Sequence, residues 1–127
     1  MSTQIQPRIT RSENAESIRP FSIDMKVMIA AAQTGGTCSV LIGELKPGDG
    51  PPPHLHRDHD EYFFVLESTI SLVVDGKEST VTPRTLFLFL AAQRTRSRTS
   101  ARRPPGCLSG PSRAITSAIS GRYTKWR

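Results

Sequence analysis

The segment "HLHRDHDEYFFVLE", residues 54–67, contains every histidine of this 127-residue chain: His54, His56 and His59. His54 and His56 are two residues apart, so their side chains point to the same face if the segment is extended. The residues "RDHD" can turn the chain, which lets Glu61 begin the next strand facing back toward both histidines. Two imidazoles and one carboxylate suit a divalent first-row transition metal. The alternative is a polar loop whose histidines lie in solvent.

Short apolar runs with strand character flank this segment on both sides. The runs "DMKVMIAAA" and "TCSVLIGEL" precede it, separated by the turn signal "QTGG" and followed by the loop "KPGDGPPP". After it come "TISLVVDG", "KESTVTP" and "RTLFLFL", with a tight hairpin expected at Asp75–Gly76. Strands of this length and spacing, with almost no helical periodicity, predict an all-β antiparallel sandwich or barrel over residues 21–90.

The N-terminal segment and the cysteines limit the classes of protein to which this chain can belong. Residues 1–20 form a polar arm without periodicity, for which we expect loose packing or disorder. The arm lacks the apolar run of a secretion signal, and no stretch of about 18 apolar residues predicts a membrane span. Cys38 and Cys107 lack zinc or redox spacing, and Cys38 is expected to be a small core residue. We therefore expect a cytoplasmic protein without membrane association.

The net charge of +6 belongs entirely to the last third of the chain. Residues 1–90 contain eight Lys and Arg against eleven Asp and Glu, whereas residues 91–127 contain nine Lys and Arg and no acidic residue. Such a tail attracts polyanions in a salt-dependent way, and Tyr123 and Trp126 can stack on bases. Because no recognised nucleic-acid-binding module is present, the composition favours nonspecific polyanion binding.

The histidine segment resembles the first motif of the cupin superfamily: Gly48, five residues, His54, one residue, His56, four residues and Glu61. The local sequence "PGDGPPPHLHRDHDEYFFVLES" is similar to small single-domain bacterial cupins. The resemblance spans Met25 to Leu90 and implies a double-stranded β-helix, the cupin jelly roll. It also implies that the two histidines and the glutamate are ligands of a divalent Fe, Mn, Ni or Zn ion. Cupins of this size often form homodimers.

Several neighbouring residues take their expected roles from the same motif and strand. Ser68 stands where the family usually has Gly, at a position expected to need a tight turn, so we expect backbone strain there. His59 and Asp60 do not match family ligands and are expected to be exposed turn residues, with support of the ligands as the alternative. Phe63 and Val65 are expected to line the barrel interior. The other side chains of that strand are expected to face outward, against the other sheet or a partner subunit: Tyr62, Phe64 and Leu66.

The second cupin motif, which would supply another histidine further along the chain, has no counterpart in "LAAQRTRSRTS". Residues 91–127 show no alternation and are interpreted as an unpatterned basic tail that offers no strand, which leaves the jelly roll incomplete. A single missing base upstream of Ala92 explains this tail best. The shifted frame permits a histidine at the motif position, although Tyr, Asn and Asp are equally allowed. Over the stretch "GCLSGPS" the shifted frame encodes a run of apolar residues that the present frame lacks. A frameshift, real or from sequencing, is therefore our hypothesis for residues 91–127.

The predicted function is that of a small metal-binding cupin impaired by loss of the second motif. The family includes dioxygenases, isomerases and non-catalytic binders of small molecules, so the reaction, and whether the chain is an enzyme, are left open. No residue stands out as a separate general base, and catalytic residues are not assigned. Two alternatives remain: a metal-free cupin serving as a small-molecule-binding or structural subunit, and nonspecific nucleic-acid binding by the tail.

Overall fold

A computed structural model describes residues 5–57 and 59–91, together with the backbone of two strands at 95–99 and 112–120. Short 3-10 segments lie at Ser12–Asn14, Pro20–Ser22 and Ala31–Thr34. The strands of this part of the chain, numbered in chain order, are β1 Glu16–Ile18, β2 Asp24–Ile29, β3 Ser39–Leu45, β4 His59–Val65, β5 Ile70–Val74, β6 Lys77–Val81, β7 Leu86–Phe89, β8 Thr95–Thr99 and β9 Ser112–Ser120.

The strands form two antiparallel sheets. The larger sheet has the order β1-β2-β3-β9-β4-β7, and the smaller has the order β6-β5-β8. The core lies between them, because β4 and β7 of the larger sheet bury side chains against β5 and β6 of the smaller sheet. The buried cluster consists of Val65, Ile70, Leu72, Val81 and Phe89. This arrangement confirms the predicted all-β jelly-roll class.

Local turn chemistry follows the sequence closely at two positions. The β5–β6 hairpin turns at Asp75–Gly76, where both residues have positive φ (48° and 80°), as a tight two-residue hairpin requires. Ser68, between β4 and β5, has a φ of 60°, in the left-handed region that favours glycine. The predicted strain at Ser68 is therefore confirmed.

The structure differs from the sequence prediction at both ends of the chain. Within the N-terminal arm, β1 pairs with β2, with Glu16 opposite Val27. Within the tail, β8 pairs with β5, and β9 lies between β3 and β4. The expectation that no strand would follow residue 90 is thus corrected for these two segments. Without β9, the facing edges of β3 and β4 would have no backbone partner, and the β-branched residues of "AITSAIS" favour an extended chain.

The remainder of the predicted tail, at 92–94, 100–111 and 121–127, lies outside the described residues, as do Cys107, Tyr123 and Trp126. Cys38 was expected in the core, but it is half-buried at the start of β3, with its sulfur 3.7 Å from the Ser39 carbonyl oxygen. Among the described residues, no helix is long and apolar enough to cross a membrane.

Candidate metal centre

The three residues expected as ligands meet at one end of the larger sheet. The proline-rich loop after β3 carries His54 and His56, and Glu61 lies on β4. One nitrogen of each imidazole and one carboxylate oxygen all lie within 4.8 Å of one another, and all three side chains are half-buried. A group of this composition and spacing can hold a metal ion.

Hydrogen bonds fix the orientation of both imidazoles. Nδ1 of His54 lies 2.8 Å from the Pro52 carbonyl oxygen, to which it donates. This bond leaves Nε2 of His54 with its lone pair free, which is the usual way a protein prepares a histidine for a metal. Nε2 of His56 lies 3.0 Å from Oε2 of Glu61, so these two atoms share a hydrogen.

The burial of Glu61 affects protonation at the site. Glu61 pairs with Phe89 of β7 on one side and with Ala118 of β9 on the other, and its side chain is 14% exposed. Burial raises the pKa of Glu61, and the nearby His54 and His59 oppose that rise. Burial also lowers the pKa of His56, with His54 acting in the same direction. Both groups are thus biased toward their neutral forms, a bias that a bound cation would reverse for the carboxylate.

His59 and Asp60 belong to β4 and are half-buried, so the expectation of exposed turn residues is wrong. The His59 ring lies 4.2 Å from the His56 ring, centroid to centroid, with an angle of 38° between the planes. Oδ1 of Asp60 accepts a hydrogen bond of 2.8 Å from the Ala91 amide. Pairing with its partner strands makes β4 begin at His59, inside the segment "RDHD" that the sequence indicated as a turn. His59 is a packing neighbour of a ligand, and Asp60 ties β4 to the chain after β7.

A cavity of about 170 Å³ opens beside His54, His56 and Glu61, which form part of its lining. Phe63, expected inside the barrel, forms part of its wall, and Val65, which is 1% exposed, lies in the core. The other wall residues come from the end of the arm, from β2 and β3, and from the loop that follows: Pro20, Phe21, Ile23, Met25, Gly43, Leu45 and Pro51. Sequence reasoning missed these residues. Only the alternation of Ile23 and Met25, which puts both on one face of a strand, could have indicated two of them.

Phe21 has an unusual backbone at the edge of this cavity. Its φ is 52° and its ψ is 32°, and Ser22 follows with a φ of 65°. A residue other than Gly in this left-handed conformation costs roughly 1–2 kcal/mol. Although it lines the cavity, the side chain of Phe21 is 64% exposed, which places the ring at the cavity rim.

Comparison with known proteins agrees with this geometry. Residues 41–96 match the family model of the cupin domain, which covers both histidines and the glutamate. This segment of the chain is similar to the cupin domain. No curated protein matches the chain in sequence.

Solved structures share the fold of this chain at low sequence identity. A predicted oxalate decarboxylase from Thermotoga maritima has a TM-score of 0.76 at 12% identity, over 89% of this chain and 99% of that one. KdgF from a Halomonas species has a TM-score of 0.70 at 14% identity, over 91% and 96% of the two chains. The polyketide cyclase RemF from Streptomyces resistomycificus has a TM-score of 0.70 at 18% identity, over 93% and 82%.

Proposed function

We propose that this chain binds a divalent first-row transition metal through His54, His56 and Glu61, and uses it to hold a small molecule in the adjoining cavity. The observation that carries the proposal is the convergence of the three ligand atoms within 4.8 Å, on the cavity wall. Convergence of a few polar side chains on the wall of a mainly apolar cavity is typical of a site for a small ligand.

The donor set fits such a metal on chemical grounds. Imidazole suits Fe, Ni and Zn, and a single carboxylate adds the negative charge that a divalent ion requires. The bond from Nδ1 of His54 to Pro52 presents Nε2 as a ligand. When bound, the metal supplies a Lewis acid with open positions for an oxygen-bearing ligand.

The chain's own residues have clear roles around that ion. Glu61 supplies its charge from a buried strand, where water does not screen it. The ring of His59 packs against His56 and limits its rotation. The walls of the cavity exclude water from the ligand. Solved neighbours named as a decarboxylase and a cyclase share the fold with this domain, so the fold does not choose a reaction.

Calorimetric titration with Zn²⁺ tests the proposal. We expect one bound ion per chain, with affinity lowered at least roughly tenfold in His54→Ala and in Glu61→Gln, because each change removes a ligand. Glu16→Gln is the matched control, since it neutralises an exposed glutamate on β1 and should bind Zn²⁺ as the wild type does. A wild-type chain that binds no ion, or ligand variants that bind equally well, would refute the proposal.

The remaining sequence predictions keep their status as predictions. They are a cytoplasmic location, a homodimer, a metal-free binding role and polyanion binding by the tail. Two leucines of β7, Leu86 and Leu88, are exposed, as is Leu90 directly after the strand. A sedimentation measurement of the mass in solution would test the homodimer.

A further inference from the structure

We propose that the cavity beside the metal ligands takes a small molecule with an uncharged, apolar, ring-sized body, and that Phe21 selects for that body at the rim. The inference rests on the proposed function for the polar end of the ligand, which the metal would hold. The preference for an uncharged apolar body follows from the cavity walls alone.

Among the residues that the structure describes, the cavity lining presents no Lys or Arg side chain to an anionic ligand, and Glu61 adds a carboxylate. Arg19 precedes the lining residue Pro20, but its guanidinium is paired with Asp24 at 2.9 Å. A carboxylate or phosphate on the body of a ligand would lose its hydration here without gaining a counter-charge, which disfavours binding. An uncharged body has no charged group whose hydration would be lost on entering the cavity.

The size of the cavity limits the ligand to about one ring. Its volume is about 170 Å³. An apolar cavity of roughly 150 Å³ accommodates benzene, whereas pockets for drug-sized molecules begin at roughly 300 Å³. Ile23, Leu45 and Phe63 supply an apolar wall against which such a body can pack. A ring or short branched chain with one small polar head therefore fits between this wall and the ligands.

The strained backbone at Phe21 indicates that its ring has a role in binding a ligand. Glycine would adopt a φ of 52° without strain, yet the chain has an aromatic residue there, with its ring 64% exposed at the rim. An exposed ring gains little from folding, so the retained strain points to an interaction with a ligand. A flat apolar body can stack against this ring as it enters.

Two hydroxamates on Zn²⁺-loaded protein test the proposal. Benzohydroxamate and acetohydroxamate share one metal-binding head, and only the first has a ring. We expect benzohydroxamate to bind roughly tenfold more tightly, because its ring becomes buried. Phe21→Gly should remove most of that difference while leaving Zn²⁺ affinity and acetohydroxamate affinity unchanged, with a Tm no lower than that of the wild type. Leu86→Ala, which truncates an exposed side chain on β7, is the control and should keep the difference.

A second pair of probes separates this proposal from the metal site. Benzyl alcohol and benzoate share a ring and differ in charge, and ligand-observed NMR can compare them on metal-free protein. Preferential binding of benzyl alcohol is expected. If Zn²⁺ fails to bind but this preference holds, the metal site is refuted and the cavity proposal stands. If Zn²⁺ binds but the hydroxamates bind equally, or if benzyl alcohol has no advantage over benzoate, the cavity proposal is overturned.

Discussion

Nε2 of His56 and Oε2 of Glu61 are 3.0 Å apart and share one hydrogen. A metal that uses both atoms must displace that hydrogen, so metal binding is coupled to proton release. The two groups respond in opposite ways to their surroundings, because burial raises the pKa of Glu61 and lowers that of His56. A bound cation therefore stabilises the site most at a pH at which Glu61 has lost its proton.

We expect Zn²⁺ affinity to fall as the pH is lowered. Protons compete with the metal for both atoms, and the raised pKa of Glu61 makes this competition start at a higher pH than for an ordinary glutamate, whereas the lowered pKa of His56 delays it at the imidazole. Each proton released on binding changes the affinity by roughly tenfold per pH unit. Calorimetry between pH 5.5 and 8, in buffers of different ionisation enthalpy, gives both the affinity and the number of protons released. An affinity independent of pH would contradict coupling at His56 and Glu61.

Glu61→Gln should stabilise the metal-free protein near neutral pH. Because the pKa of Glu61 is raised on folding, its contribution to stability is present at low pH and is lost as the pH rises through the folded pKa. Removing the buried charge should gain about 1 kcal/mol, which is roughly 4 °C in Tm. The same variant should show a smaller rise in Tm with added Zn²⁺ than the wild type does. Glu16→Gln serves again as the control, with little change in Tm and a normal response to Zn²⁺.

His59 should affect metal affinity through ring packing and not through ligation. Its ring contacts His56, but it is not part of the group whose ligand atoms lie within 4.8 Å of one another. His59→Ala should weaken Zn²⁺ binding several-fold, whereas His59→Phe, which keeps a ring but has no nitrogen, should bind nearly as the wild type does. Calorimetry on both variants decides the point, since equal losses in the two would make His59 a ligand.

Ser68→Gly should raise stability. With a φ of 60°, Ser68 pays a conformational cost of about 1 kcal/mol that glycine avoids. The expected gain in Tm is roughly 4 °C for a chain of this size. Ser39→Gly is the matched control, because Ser39 lies in extended β3 and glycine there should destabilise by roughly 0.5–1 kcal/mol. Thermal unfolding followed by circular dichroism compares the two, and a loss of stability in Ser68→Gly would show that the turn depends on the serine side chain.

Resequencing the coding DNA across codons 80–127 should reveal a missing base. The frameshift hypothesis rests on the absence of His, Asp and Glu after residue 91 and on the hidden apolar run. In the restored frame we expect a fourth ligand and tighter Zn²⁺ binding than in the chain as written. An independent template that reproduces the present reading would reject the hypothesis and establish the tail as real.

The sequence predicted those features that depend on local geometry. The proposed ligands His54, His56 and Glu61 converge because a two-residue spacing and a short turn suffice, whatever the rest of the chain does. The strain at Ser68 and the hairpin at Asp75 likewise depend on a few backbone angles.

Features that depend on packing between distant segments could not be predicted. Phe21 and Met25 become cavity walls only because β2 pairs beside β3, and no pattern in their own segment shows which side faces the ligands. His59 was assigned to a turn, since the length of β4 is set by its partner strands. The sequence analysis did not predict β9, because its residues lack the alternation of apolar and polar side chains that marks a half-buried strand.

The position of β9 has a consequence for biosynthesis. β3 and β4 are made early, but each obtains its shared hydrogen-bonding partner only from residues 112–120. While a ribosome is still translating the intervening segment, the larger sheet exists as two separate pieces with open edges. Completion of the sheet must then wait until the last described strand leaves the exit tunnel. Such late, long-range pairing slows folding and leaves those edges open to pairing with other chains until β9 arrives.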